Sequence, residues 1–274
     1  ETPDGIRQEM RRVRELTDKP FGVDLLAARP DPMMEAIDVV IEEGASAFIA
    51  GLGVPGPVVQ KCHDAGLLVM SMCGKVSHAV AAEEAGCDVV IAQGTEAGGH
   101  TGRVAGMALI PQIVDAVEIP VLGAGSIVDG RGLAACLAFG AQGVWMGTRF
   151  IASHEARAAD SYKKQIGSTG SDETVITRCY SGKPMRVIAN EYIRGRERDP
   201  DSILRFPEQM YSSTQEGTMS ALGGATEGID PDRHAMPGGQ GAGAINEILS
   251  CQEIVDKTMT EAEAVIARLA PLIG

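Results

Sequence analysis

The first half of the chain repeats one pattern, and that repeat limits the folds open to it. An apolar run leads into a polar, glycine-containing loop; an amphipathic segment follows, ends in glycine, and gives way to the next run. The runs are 21–26 (FGVDLL), 46–51 (SAFIAG), 67–72 (LLVMSM), 88–93 (DVVIAQ), 119–123 (IPVLG) and 143–147 (GVWMG). Short, continuous apolar runs are expected of parallel strands covered on both faces. The segments between them keep helical spacing: Ile6, Met10 and Val13 share a face, as do Met34, Ile37 and Ile41, and Val76, Ala79 and Val80. Asp31-Pro32 reads as a helix start, a capping carboxylate followed by a preset φ. Gly44, Gly66, Gly86 and Gly140 fall where helices should stop in the left-handed conformation. Alternating strand and helix at this period predicts a parallel sheet with right-handed crossovers, either open or closed into a barrel.

Beyond about residue 150 the rhythm breaks. Residues 151–235 are polar and irregular, and read as an insertion or lid built around one or two helices. Residues 244–269 return to an amphipathic pattern and are expected to pack back on the core. The expected organisation is a barrel from 1–150 and 236–274, with 151–235 inserted over the site.

Charge and cysteine usage narrow the function classes. The net charge is −13, a poor match to a phosphate backbone, so nucleic acid is not expected as a partner. The six cysteines are scattered with no CxxC pair, which predicts free thiols in a reducing, cytoplasmic setting. No apolar run reaches the ~20 residues of a membrane span, the polar N-terminus does not read as a signal peptide, and no metal site is read.

Two adjacent strand ends carry turns suited to phosphate. VEIPVLGAGSI (117–127) runs a strand into Gly123, Gly125 and Ser126, just ahead of a helix expected at 129–139. Backbone N–H groups and the helix dipole there favour an anion. The next strand ends in Met146-Gly147-Thr148-Arg149. Two such turns in succession fit the phosphate site after the seventh and eighth strands of a TIM barrel; tight βα turns with no ligand are the alternative.

The segment 93–102 (QGTEAGGHTG) is the most unusual. Gly98-Gly99 permits close backbone approach to a flat ligand, the Gln93 amide sits at the strand end, and His100 is held on the loop side as a general base or acid. A locally bonded surface histidine is the other reading. His63 and His78 lie on helices, and His154 and His234 fall in the irregular region. Gly51, Gly53 and Gly56 match GxGxxG, but the next strand ends Met70-Ser71-Met72-Cys73 without the acid a ribose needs; a turn facing a ligand is expected instead. MPGGQGAGAI (236–245) opens a last helix, either as a hinge or as a flap with Gln240 reaching inward.

QGTEAGGHTG, IPVLGAGSIVDGRGLAACLAFGAQGVWMGTRF, TRCYSGKPMRVIANEYI and PGGQGAGAI together resemble the nitronate monooxygenase (2-nitropropane dioxygenase) family, which includes the flavin-type enoyl-acyl-carrier-protein reductases. The resemblance covers most of the chain and is most specific in 86–150. It implies a TIM-type (β/α)8 barrel binding FMN non-covalently. The flavin phosphate is implied at Gly125, Ser126, Gly147 and Thr148, Gln93 and Gly98-Gly99 near the ring, and His100 at the substrate. The family usually has two glycines where this chain has Gly125-Ser126. If the strands at 119 and 143 are the seventh and eighth, 21–26 is the third, and two strands are expected ahead of Glu1. The implied activity is oxidation of alkyl nitronates with O2 to carbonyl compounds and nitrite. The alternative is NAD(P)H-dependent reduction of an enoyl or enone thioester, with 151–235 as an acyl or pantetheine channel and Lys163, Lys164, Lys183 and Arg186 either meeting the carrier phosphate or lying on a solvated face. A small-molecule substrate and a homodimer are expected in either case.

Overall fold

The computed structural model describes residues 2–26, 30–51, 53 and 56–273. In chain order the elements are α1 (Pro3–Leu16), β1 (Gly22–Leu26), α2 (Pro30–Glu42), β2 (Ala47–Gly51), α3 (Gly56–Asp64), β3 (Leu68–Cys73), α4 (Val76–Glu84), β4 (Val89–Gln93), the two-residue β5 (Gly99–His100), α5 (Gly106–Val114), β6 (Val121–Ala124), α6 (Gly130–Ala138) and β7 (Gly143–Trp145). The chain continues through α7 (Thr148–Ile151), α8 (Asp160–Ser168), β8 (Thr174–Thr177), β9 (Met185–Ile188), α9 (Glu191–Arg196), α10 (Glu208–Gln215) and α11 (Cys251–Leu269).

Six strands form one parallel sheet in the order β1-β2-β3-β4-β6-β7. The order never reverses, so the sheet is the curled wall of a TIM-type barrel and not a doubly wound sheet. Each of the six apolar runs of the sequence supplies one of these strands. The two faces explain why the runs are continuous. Ala47, Ile49, Ile91 and Ala124 point into the barrel with Met70, Met72, Leu122 and Trp145. Phe48, Ala50, Val69 and Val90 point outward to Ile37, Val40, Val58, Leu109 and Ile113 of the helix layer. Gly44, Gly66, Gly86 and Gly140 end their helices at φ of 73°, 78°, 94° and 92°, a region that costs glycine nothing.

The helix faces are as the spacing predicts, with Ile6 and Met10 buried, although Val13 in the last turn of α1 is 36% exposed. α2 begins at Pro30, one residue ahead of Asp31-Pro32, whose side chains lie outside the described residues. So do Leu52, Val54 and Pro55 of the GxGxxG match; Gly53 has φ 95° and α3 starts at Gly56.

Residues 151–235 are richer than one or two helices. They contain α8, α9 and α10 and the hairpin β8–β9. β9 also pairs antiparallel with β5, Gly99 facing Arg186 and His100 facing Met185, giving a second sheet in the order β5-β9-β8. The last helix is shorter than 244–269. Residues 240–244 form a 3-10 turn, and α11 starts at Cys251 because Ser250 and Glu253 form a reciprocal capping box that satisfies two otherwise orphaned N–H groups. α11 packs on α6 through Leu133, Ala134 and Ala262. Among the described residues no helix is long and apolar enough to cross a membrane.

Candidate functional site

The strand order brings the C-terminal ends of β4, β6 and β7 side by side. A cavity of about 140 Å3 opens there, lined by Gln93 at the end of β4 and Gly98 from the loop after it, Gly125 and Ser126 after β6, and Gly147 and Thr148 after β7. Met72, Trp145 and Met146 give it an apolar wall, and Pro237, Gly239 and Gly241 cover it.

The two turns are clamped by that cover. Thr148 Oγ1 accepts from the Gly239 N–H at 3.1 Å. Ser126 Oγ accepts from the Gly241 N–H at 2.8 Å and donates to the Glu96 carbonyl at 3.0 Å. The backbone N–H groups of Ser126, Gly147 and Thr148 have no acceptor among the described residues. Thr148 opens α7, where N–H groups are left over by helix geometry. Gly125 and Ser126 both turn left-handed, at φ 107° and 54°. Ser126 is the one non-glycine residue with positive φ among the described residues.

The covering segment comes close because both sides are glycine. A Cβ on Gly98 would lie 2.8 Å from the Gly239 nitrogen, and one on Gly239 would lie 2.9 Å from the Glu96 carbonyl oxygen. Glu96 fixes this loop from the other side: its two carboxylate oxygens accept from the Gly106 N–H at 2.9 and 3.1 Å.

Four of the sequence-nominated residues lie elsewhere. Gly123 is inside β6, paired with Ala92 and Val144. Its missing Cβ makes room for Cys136 Sγ, 2.5 Å from where that Cβ would stand; Gly123 is a packing residue with no N–H turned to the cavity. Gln240 acts through its backbone, whose N–H donates to the Glu96 carbonyl, and its glycine neighbours line the cavity instead. Gly99 sits in β5 at φ 81°. His100 follows it and is outside the lining residues.

His100 is nonetheless tied to the cavity. Gln93, which lines it, donates from Nε2 to the His100 carbonyl at 3.1 Å. The imidazole Nε2 lies 2.8 Å from Ser181 Oγ, and Ser181 is completely buried. Ser181 Oγ also donates to the Lys183 carbonyl and accepts from the Lys183 N–H. Burial, and then the Lys183 charge, push the His100 pKa down from 6.5 to about 4. The Lys183 ammonium itself rests 4.3 Å from the centroid of the Phe206 ring. At neutral pH His100 is therefore an uncharged imidazole, and its Nδ1 has no partner among the described residues.

Pattern reading did not nominate Ser181, Gly239 or Gly241, nor the apolar lining residues Met72, Trp145 and Pro237. The SGK turn inside TRCYSGKPMR carried the only signal for Ser181. No spacing rule links it to a histidine 81 positions earlier. The remaining histidines stand apart: His63 Nε2 lies 2.9 Å from an Asp88 carboxylate oxygen that also accepts from the Val69 N–H.

Known proteins carry the same architecture. The family model described as nitronate monooxygenase matches residues 32–261. A probable nitronate monooxygenase from Staphylococcus saprophyticus is 35% identical over 252 residues, covering 75% of this chain and 71% of that protein. A 5-hydroxy-7a-methyl-1-oxo-octahydro-1H-indene-4-carboxyl-CoA dehydrogenase from Rhodococcus jostii is 40% identical over 192 residues, or 70% of this chain and 54% of that one. The chain thus spans about half the length of the second relative. The structure of FabK from Thermotoga maritima superposes with a TM-score of 0.89 at 33% identity, covering 99% of this chain and 85% of that one. The chain belongs to the nitronate monooxygenase family of oxidoreductase enzymes.

Proposed function

We propose that this chain binds FMN at the β4–β6–β7 rim and oxidises alkyl nitronates with O2 to carbonyl compounds and nitrite. The observation that carries the proposal is the adjacency of two turns, Gly125-Ser126 and Gly147-Thr148, whose N–H groups are free on a cavity with an apolar wall. The donor set fits a phosphate, because N–H groups at a helix start bind anions without a cationic side chain. The hydroxyls of Ser126 and Thr148 are engaged by Gly241 and Gly239, so the turns hold phosphate through backbone. Trp145, Met72 and Met146 give a ring system an apolar surface, and Gln93 offers an amide to its polar edge.

Bound FMN supplies the electron chemistry, and the protein supplies orientation and electrostatics. His100 contributes a neutral imidazole beside the site. With a pKa near 4 it is a weak base at pH 7, poorly matched to taking a proton from carbon. It is matched to orienting an already anionic nitronate in the tautomer that carries its proton on Nδ1, with the Ser181 hydroxyl turned from the Lys183 carbonyl to donate to Nε2. Gln93 and Ser181 hold the His100 backbone and ring. Residues 151–235 act as a lid that contributes Ser181 and Lys183 to this side of the site.

The alternative is NAD(P)H-dependent reduction of an enoyl or enone thioester on the same cavity. The observation in its favour is Lys183, a cation close enough to depress His100 and available to an acyl carrier's phosphate. One experiment separates the two. The purified protein is examined for a flavin spectrum, then titrated anaerobically with propyl nitronate and, separately, with NADPH. Bleaching by propyl nitronate alone supports the proposal. Bleaching by NADPH alone moves the assignment to the reductase, and failure to bind FMN at all defeats both.

A further inference from the structure

A second cavity, of about 210 Å3, lies behind the first, and Val128 borders both. It is enclosed by the start of α6, the segment 244–249 and the first turns of α11. Its wall includes Arg149, which is 5% exposed. Arg149 Nη2 donates to the carbonyls of Ala152 and Glu247 at 2.8 and 2.7 Å. Its Nε is buried without any hydrogen-bond partner, and Nη1 has none among the described residues. A buried guanidinium is normally matched by a carboxylate or phosphate, because an isolated buried charge is costly.

Two of the three carboxylates around this cavity are in ion pairs and the third accepts a backbone N–H. Asp129 pairs with Arg131, Glu247 pairs with Lys257, and Glu261 accepts from the Gly130 N–H at 3.1 Å. Arg149 forms no ion pair among the described residues. The formal charges of the lining balance, Asp129, Glu247 and Glu261 against Arg131, Arg149 and Lys257; what the cavity offers an ion is the unmet donor capacity of Arg149, whose Nε and Nη1 have no partner among the described residues.

We propose that this second cavity binds a small oxyanion, a phosphoryl or carboxylate group, on the Arg149 guanidinium. The site is separate from the cavity after β4, β6 and β7, but it shares the segment that covers that cavity. Its occupant therefore braces residues 239–249 from behind.

The test is calorimetric titration of the full chain at low ionic strength with inorganic phosphate and, in separate runs, acetate. Wild type is expected to bind at least one of them saturably; which one binds tells a phosphoryl from a carboxylate occupant. Arg149→Gln should abolish that binding. Asn246 lines the cavity and is exposed, so Asn246→Asp adds a negative charge there with little risk to folding. It should weaken binding roughly tenfold or more, the worth of one nearby charge at a protein surface. Gln112→Asp puts the same charge on the exposed face of α5, away from both cavities, and should leave the binding within about twofold, at most a few tenths of a kcal/mol. Wild type that binds neither anion overturns the proposal. So does binding that Asn246→Asp weakens no more than Gln112→Asp does. Should Arg149→Gln not fold, the contrast between the other two variants still decides.

Discussion

The Nε2 of His100 and the Oγ of Ser181 are 2.8 Å apart, and they join β5 to the turn before β9. Ser181 is anchored to both backbone groups of Lys183, so it fixes the ring instead of following it. With His100 orienting the substrate by a hydrogen bond, His100→Asn should lower kcat/KM by roughly 10- to 100-fold, the worth of one hydrogen bond to a charged group. Ser181→Ala should retain the imidazole but lose its orientation. We expect a smaller drop in kcat/KM with Ser181→Ala, and a shifted acid limb in the pH–rate profile. An unchanged profile with reduced stability would reduce Ser181 to a packing role.

The depressed pKa of His100 sets a pH dependence of folding. The unfolded chain takes up a proton near 6.5, and the folded chain only near 4. Between those values the unfolded state binds more protons, so acid favours unfolding. The stability held above pH 6.5 is lost as pH falls toward 4, by at most ~1.4 kcal/mol per pH unit. Partial exposure of the ring reduces that figure. Urea denaturation at a series of pH values should give a flatter profile for His100→Asn than for wild type. Parallel profiles would show that the ring titrates normally.

Ser126 combines backbone strain with two hydrogen bonds. A φ of 54° costs a residue with a Cβ about 1 kcal/mol. The hydroxyl compensates by bonding the Glu96 carbonyl and the Gly241 N–H. Ser126→Ala keeps the strain and loses both bonds, so a destabilisation of about 1–3 kcal/mol is expected. Ser126→Gly loses the bonds but relieves the strain, and should lie between alanine and wild type in chemical denaturation. A glycine variant less stable than the alanine variant would contradict the assigned strain.

The barrel was legible because its determinants are local. Each strand is a continuous apolar run such as AFIAG or VVIAQ, and each helix stop is a glycine such as Gly66 or Gly86. Both signals survive without knowledge of neighbours. The clustering of Gln93, Gly98, Gly125, Ser126, Gly147 and Thr148 followed from the strand order. The β5-β9-β8 sheet was not legible. β5 has two residues, no periodicity, and a partner more than eighty positions away. Gly123 misled because its sequence context, GAG, suits a turn, while its actual constraint is the Cys136 side chain on α6. The hydroxyl clamp was hidden for a related reason: Ser126 and Thr148 find their donors in Gly241 and Gly239, at the far end of the chain.

Gly98 offers the sharpest test of that clamp. Its own backbone is not left-handed, so alanine is allowed there conformationally. The obstacle is spatial: the added Cβ would meet the Gly239 nitrogen at 2.8 Å and the Gly238 carbonyl carbon at 2.9 Å. Both are backbone atoms that cannot rotate aside, so segment 237–241 must move outward. That movement loosens the Gly239–Thr148 and Gly241–Ser126 bonds together. Overpacking of this kind typically costs 1–3 kcal/mol. Gly98→Ala should therefore lower thermal stability, and it should weaken FMN binding more than Gly195→Ala does, because Gly195 has no left-handed φ and nothing within 4 Å of its Cβ position. The two variants compared in one flavin titration keep the prediction specific: equal FMN affinities would mean that the covering segment does not press on the cavity through Gly98.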